Sequence, residues 1–236
     1  MSDVRYAPPH ARLQTAPSPG PGGTIDVGDA FREGWSTTWS NFGLTLGVYV
    51  VGTVLMIVSA LTGVGLFLLC PVFLWGFFRF NLNAVDGRAE FADLFSGFGD
   101  YGRVVGTMLV LIGLVFLIAL LGQVVSIAGA AAELGALQGL GLLVNFVWSL
   151  TVMPRLTFAW YYAIDREAGP AEALQAAWSA TTGQTGACLV LSLMLSIVMI
   201  MGVLFLIVGV IPAVMVAYLM QAAAYRQLAG QQTAAA

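Results

Sequence analysis

The chain has 236 residues, 59% hydrophobic and only 9% charged, with nine cationic side chains, all Arg, twelve acids, one His and a formal net charge of −3. A soluble domain carries roughly 25% charged residues, so this chain cannot cover a water-facing surface and needs lipid as its solvent. The absence of Lys excludes Schiff-base and lysine-dependent phosphate chemistry, and the single His10 excludes Ser/His/Asp or Cys/His catalysis and a multi-His metal site.

Residues 1–24 hold Pro8, Pro9, Pro17, Pro19 and Pro21 among Ala, Ser and Gly. Such a stretch buries too little apolar surface to offset its ordering entropy, which predicts a disordered tail. It has no apolar region ahead of the Pro cluster and does not read as a signal peptide. A short amphipathic helix follows, with Asp26 as its cap. Val27, Phe31, Trp35, Trp39 and Phe42 form its apolar stripe, and Asp29, Arg32 and Glu33 lie off that stripe.

From Asn41 to Phe78 there is no charge. One helix of that length would be nearly twice the roughly 30 Å hydrocarbon thickness, so the chain must fold back. Thr62, Gly63 and Gly65 supply the turn, predicting helices over 43–61 and 65–84. Asp86-Gly87 closes the second, and a second amphipathic segment carries Phe91, Leu94, Phe95, Phe98 and Tyr101 against Asp93, Asp100 and Arg103.

A third span is expected over 104–127, a short link through Gly129, Glu133, Gly135 and Gly139, and a fourth span over 141–164. Gly169, Pro170 and Glu172 then start a third amphipathic helix containing Leu174, Trp178 and Thr181. The charge-free run from Ala173 to Tyr225 fits two more spans, 187–206 and 209–227, with a turn at Val208 and Gly209. Trp and Tyr favour the headgroup zone, so these three short helices read as an interfacial collar formed by Phe31, Trp35, Trp39, Leu94, Phe95, Phe98, Tyr101 and Trp178.

Phe31, Trp35, Ser36, Thr38 and Gly43 match Leu174, Trp178, Ser179, Thr181 and Gly186 at one constant offset, and each returning span carries a Pro that should kink it: Pro71, Pro154 and Pro212. The expected fold is all-α integral membrane, six transmembrane helices arranged as three parallel repeats of an interfacial amphipathic helix plus a helical hairpin, over 25–228, with a flexible tail at 229–236. Eight of the nine Arg fall in the N-terminal region or around 79 to 103, 166 and 226, toward one side of these spans, while the links on the other side carry one charge, Glu133. That bias predicts a multi-pass membrane protein with both termini cytoplasmic.

The stretch AVDGRAEFADLFSGFGDYGRVV, with Asp93-Leu94-Phe95 followed by Gly97-Phe98, resembles the signature of a family of uncharacterised bacterial multi-pass membrane proteins. AIDREAGPAEALQAAWSATTG is similar to a segment of that group and of the membrane domain accompanying some glycerophosphoryl diester phosphodiesterases. The resemblance covers residues 26–228 and implies the architecture and a place in the bacterial cytoplasmic (inner) membrane. The phosphodiesterase chemistry belongs to a separate soluble barrel for which this chain has no room, so the activity does not carry over.

Arg155, next to Pro154, is expected near the bilayer midplane, facing the bundle interior, where Asn145 or Glu133 would satisfy it as a packing or ligand site. Cys70 and Cys188 fall at different depths and read as packing residues rather than a disulfide. The spacings Gly43-x-x-x-Gly47 and Gly102-x-x-x-Gly106 are candidates for close helix approach. No catalytic, metal, cofactor or nucleic-acid motif emerges. The function expected is a non-enzymatic scaffold or accessory module that uses the collar to hold lipids or a protein at the cytoplasmic face; the alternative is a small transporter, permeation or lipid-handling protein with Arg155 in its pathway. Oligomeric state is left open.

Overall fold

The computed structural model describes residues 24–131 and 134–230. The expected tail, Glu133 and most of the C-terminal extension lie outside the described residues. Within them the chain is helical, with no strand: α1 Val27–Ser40, α2 Phe42–Leu61, α3 Val64–Leu68, α4 Cys70–Val85, a 3-10 helix Phe91–Phe98, α5 Tyr101–Ala131, α6 Gly135–Thr151, α7 Met153–Asp165, α8 Pro170–Thr181, α9 Thr185–Leu204 and α10 Leu206–Leu228.

Three stretches are long and apolar enough to cross a membrane: α2, α6 with α7 taken together, and α9. A fourth results if the 3-10 helix and the first part of α5, bent by 92° to each other, count as one span. Helices lie over each of the six segments expected to span, with three differences in their bounds. The second and fourth expected spans are each two helices, broken at Leu69 and at Val152. Pro71 and Pro154 therefore occupy the first turn of α4 and of α7, where a missing N–H leaves no hydrogen bond unmade. Pro212 alone stands inside a helix.

Of the link expected through Gly129 and Gly139, the part up to Ala131 belongs to α5 and the part from Gly135 on to α6, whose backbones meet at Gly129 against Leu137–Gln138 and at Gly141 against Ser126. The last hairpin turns at Phe205 rather than at Val208 and Gly209, because Gly202 and Gly209 face each other across α9 and α10 and hold both residues inside their helices. The first hairpin turns as expected: Thr62 Oγ1 donates to the Ser59 carbonyl at 2.7 Å and accepts from Gly65 N at 3.0 Å.

Burial sorts the helices into layers. Trp75 and Phe78 of α4, Phe158 and Tyr161 of α7, and Leu219 and Tyr225 of α10 belong to one core and are 1% exposed or less. By contrast α2, α5, α6 and α9 leave side chains such as Ile57, Phe116, Phe146 and Ile200 more than half exposed. An apolar outer face of that kind is stable only against lipid or another apolar surface. Each short amphipathic segment packs on one inner helix: α1 on α10, the 3-10 helix on α4, and α8 on α7. Two of these contacts need glycine. A Cβ at Gly34 would overlap the Met220 backbone, and one at Gly76 would overlap the Leu94 carbonyl.

Candidate functional site

The C-terminal ends of α4, α7 and α10 converge on an ion cluster. Arg226, 2% exposed, donates from Nη1 to Asp165 Oδ1 at 2.8 Å and from Nη2 to Asp86 Oδ2 at 2.5 Å. Arg88, largely exposed, adds a second cation to Asp86 at 2.8 Å, and the Tyr225 hydroxyl donates to Asp165 Oδ2 at 2.7 Å. Asp86 and Asp165 stand at helix C-termini, where the macrodipole disfavours an anion. Arg226 offsets that penalty for both helices while sitting at the favourable end of its own. One guanidinium thus ties three inner helices together, and the surrounding groups balance it: two Arg against two Asp.

The same end carries the entry of the chain. Asp26 caps α1 by accepting from Asp29 N at 2.9 Å, its own N–H donates to Gln227 Oε1 at 2.8 Å, and Ile25 N–H donates to Gln184 Oε1 at 2.9 Å. Arg103 joins α5 to the turn after α7, donating to the Glu167 carbonyl at 2.9 Å and to Asp100 at 2.6 Å, with its guanidinium 5.5 Å from the Trp75 ring.

The collar residues divide. Leu94 is fully buried between α2 and α4, and Phe31 is half-buried. Phe95 and Phe98 lean edge-on against Phe73, with centroids 6.2 and 5.7 Å away, yet stay 41% and 44% exposed. Trp35, Trp39 and Trp178 are exposed to about the same degree, and Phe31, Trp35, Trp39 and Phe42 form a ladder of ring contacts of 6.1, 5.7 and 5.0 Å. The Tyr101 hydroxyl reaches the Leu68 carbonyl at 3.0 Å. The second segment is therefore keyed into the flank of α4 rather than resting on a surface.

Arg155 is half-buried; of the two expected partners, Glu133 lies outside the described residues and Asn145 does not reach it. Nη2 donates to Thr185 Oγ1 at 2.6 Å, and the guanidinium lies 4.9 Å from the Trp178 ring. The side chain therefore bridges α7 to α8 and to the start of α9, and Asn145 on α6 is half-buried without a place in that bridge. Cys70 and Cys188 are both free thiols. Neither Gly-x-x-x-Gly spacing mediates an approach: a Cβ at Gly43, Gly47, Gly102 or Gly106 would meet nothing.

Sequence reasoning missed the Arg226 cluster. The one signal was positional, since Asp86, Asp165 and Arg226 each close an apolar stretch at its last turn. No protein-family profile, curated protein or solved structure matches this chain.

Proposed function

We propose that this chain is a non-enzymatic membrane scaffold or accessory module, built as three repeats of a short amphipathic helix and a hairpin, with six crossings and both termini in the cytoplasm of a bacterium. The observation that carries this reading is the packing order. The amphipathic helix of each repeat rests on the returning helix of the repeat before it: α1 on α10, the 3-10 helix on α4, α8 on α7. That cyclic order supports a closed threefold-like platform, with Arg226, Asp86 and Asp165 locking the ends of the three returning helices.

Exposed aromatic residues from all three amphipathic segments, Trp35, Trp39, Phe95, Phe98 and Trp178, suit the platform to the bilayer interface and to a protein partner on its cytoplasmic side. Permeation is the weaker reading. The inner helices are closed by Trp75, Phe78, Phe158, Tyr161 and Leu219, and Arg155 is engaged by Thr185 and Trp178. The test is affinity purification of the full chain from native membranes, wild type against Trp35→Ala with Trp39→Ala. Recovery of a specific protein partner should fall at least severalfold in the variant while insertion is unchanged; identical co-purification profiles would reject the platform.

A further inference from the structure

Arg155 is a half-buried cation outside the Arg226 cluster. Among the described residues no carboxylate pairs with it. A guanidinium offers five N–H donors, and the hydrogen bond to Thr185 Oγ1 takes one of them. That bond lies at the surface, where Thr185 and Gly186 are both exposed. Trp178, itself 45% exposed, packs against the guanidinium at 4.9 Å and holds it there.

Thr185 is the first residue of α9, and a helix start is the positive end of the macrodipole. The leading N–H groups have no partner inside the helix, and no side chain caps them. Gln184, in the capping position, instead accepts from Ile25 N–H at 2.9 Å and donates to the Ala180 carbonyl at 3.3 Å. A Cβ at Gly186 would meet nothing within 4 Å, so the backbone of this first turn is open to approach. A cation without an acid therefore faces the positive end of a 20-residue helix, an unfavourable pairing that a bound anion relieves. α9 has a mean hydropathy of 2.7, and its 20 residues extend about 30 Å, the thickness of the hydrocarbon layer. A crossing with these ends puts Thr185, and the Arg155 head bound to it, at headgroup depth rather than at the expected midplane. Beyond Gly186, Val190, Leu193, Ile197 and Ile200 follow at helical spacing, each 49% exposed or more. An open apolar stripe thus runs from the charged notch into the bilayer.

We infer that Arg155, Thr185 and the first turn of α9 bind the phosphate of an anionic glycerophospholipid, of the phosphatidylglycerol type. The guanidinium and the open N–H groups of the turn donate to the phosphate oxygens, and an acyl chain lies along the stripe from Val190 to Ile200. The stripe gives a lipid contacts that a free phosphate lacks. No acid pairs with Arg155 to receive a headgroup ammonium, which favours an anionic lipid over a zwitterionic one. The inference needs α9 to cross the bilayer and is otherwise separate from the platform reading: bound lipid without a protein partner, and a protein partner without bound lipid, are distinct outcomes.

The test uses the full chain in neutral detergent micelles with dioleoylphosphatidylglycerol as the probe, alongside dioleoylphosphatidylcholine and inorganic phosphate. Phosphatidylglycerol should raise the wild-type unfolding midpoint saturably. In Arg155→Met its apparent affinity should fall about tenfold or more, while the lipid-free midpoint hardly moves. Thr185→Glu sets a carboxylate beside the guanidinium at a helix start, so it should keep or raise the lipid-free midpoint and lose the lipid response. Arg166→Met removes an exposed cation that stacks on Tyr162 at 4.9 Å and should keep the response. No saturable response in wild type, an unchanged response in both Arg155→Met and Thr185→Glu, an equal response to phosphatidylcholine, or an equal fall in Arg166→Met would overturn the inference. Equal stabilisation by inorganic phosphate would overturn the lipid as the source of the anion.

Discussion

The guanidinium of Arg226 forks between two carboxylates at 2.8 and 2.5 Å and is 2% exposed, whereas that of Arg155 meets a hydroxyl and an indole face. Replacing a buried cation by an apolar chain is costly when it leaves charge behind and cheap when it does not. Arg226→Met removes the ion pair of Asp165 and leaves Asp86 with only the exposed Arg88, both at helix C-termini, so unfolding in detergent should show a loss of about 3–5 kcal/mol. Arg155→Met leaves only neutral partners and removes a guanidinium whose Nε is itself unbonded. Its loss should stay within about 1 kcal/mol, the scale of one hydrogen bond and one cation–π contact set against the relief of desolvation. Equal losses at the two sites would contradict this assignment of charge. The double variant Arg226→Met with Asp86→Asn should lose less than the two single losses summed, because the contact is shared. In the sequence, Arg155 stood out because it interrupts an apolar run. Arg226 did not, because an Arg in the last turn of a span also reads as an ordinary interfacial anchor.

Helix junctions and close approaches decide how the elements fit. The sequence contained the breaks in the form of Pro71 and Pro154, but hydropathy alone cannot tell a kinked helix from two helices meeting at an angle. What separates them is the first-turn position of both Pro residues, set by the breaks at Leu69 and Val152. Glycine spacing misled for a related reason. Gly43, Gly47, Gly102 and Gly106 repeat at four residues yet face open space, while the tight contacts fall at Gly34 and Gly76, which belong to neither pair. Spacing states which residues share a helix face, not which face meets a neighbour. Opposite outcomes are therefore expected from one substitution. Gly76→Ala drives a methyl into the Leu94 carbonyl and should cost about 3 kcal/mol or more by overpacking. Gly106→Ala meets nothing and should gain about 0.5–1 kcal/mol from helix propensity. Thermal unfolding of the two variants beside wild type reads both signs.

At the scale of the whole chain, hydropathy marks where apolar segments lie, but every segment is apolar, so it cannot say which are inner and which are outer. The inner position of α4, α7 and α10 follows from contacts between residues 60 to 140 positions apart, such as Arg226 with Asp165 and Asp86. Those contacts constrain topology independently of any bilayer. Arg88 bonds Asp86, Asp86 bonds Arg226, Arg226 bonds Asp165, and Glu167 follows two residues later, so Arg88 and Glu167 must emerge at the same end of the bundle. Val64 begins α3, just after the hairpin turn and ahead of the other end of α4, and Gly135 begins α6 beyond α5, a helix of about 46 Å. In a background of Cys70→Ala and Cys188→Ala, a membrane-impermeant thiol reagent added to intact cells should label Val64→Cys and Gly135→Cys but neither Arg88→Cys nor Glu167→Cys. Val64 is preferred to Gly63, whose φ of +68° disfavours any side chain. Outside labelling of both Arg88→Cys and Glu167→Cys would invert the orientation drawn from the Arg distribution and leave the fold standing. Labelling of one without the other would separate the two ends of the Arg226 fork and rule out the fold itself.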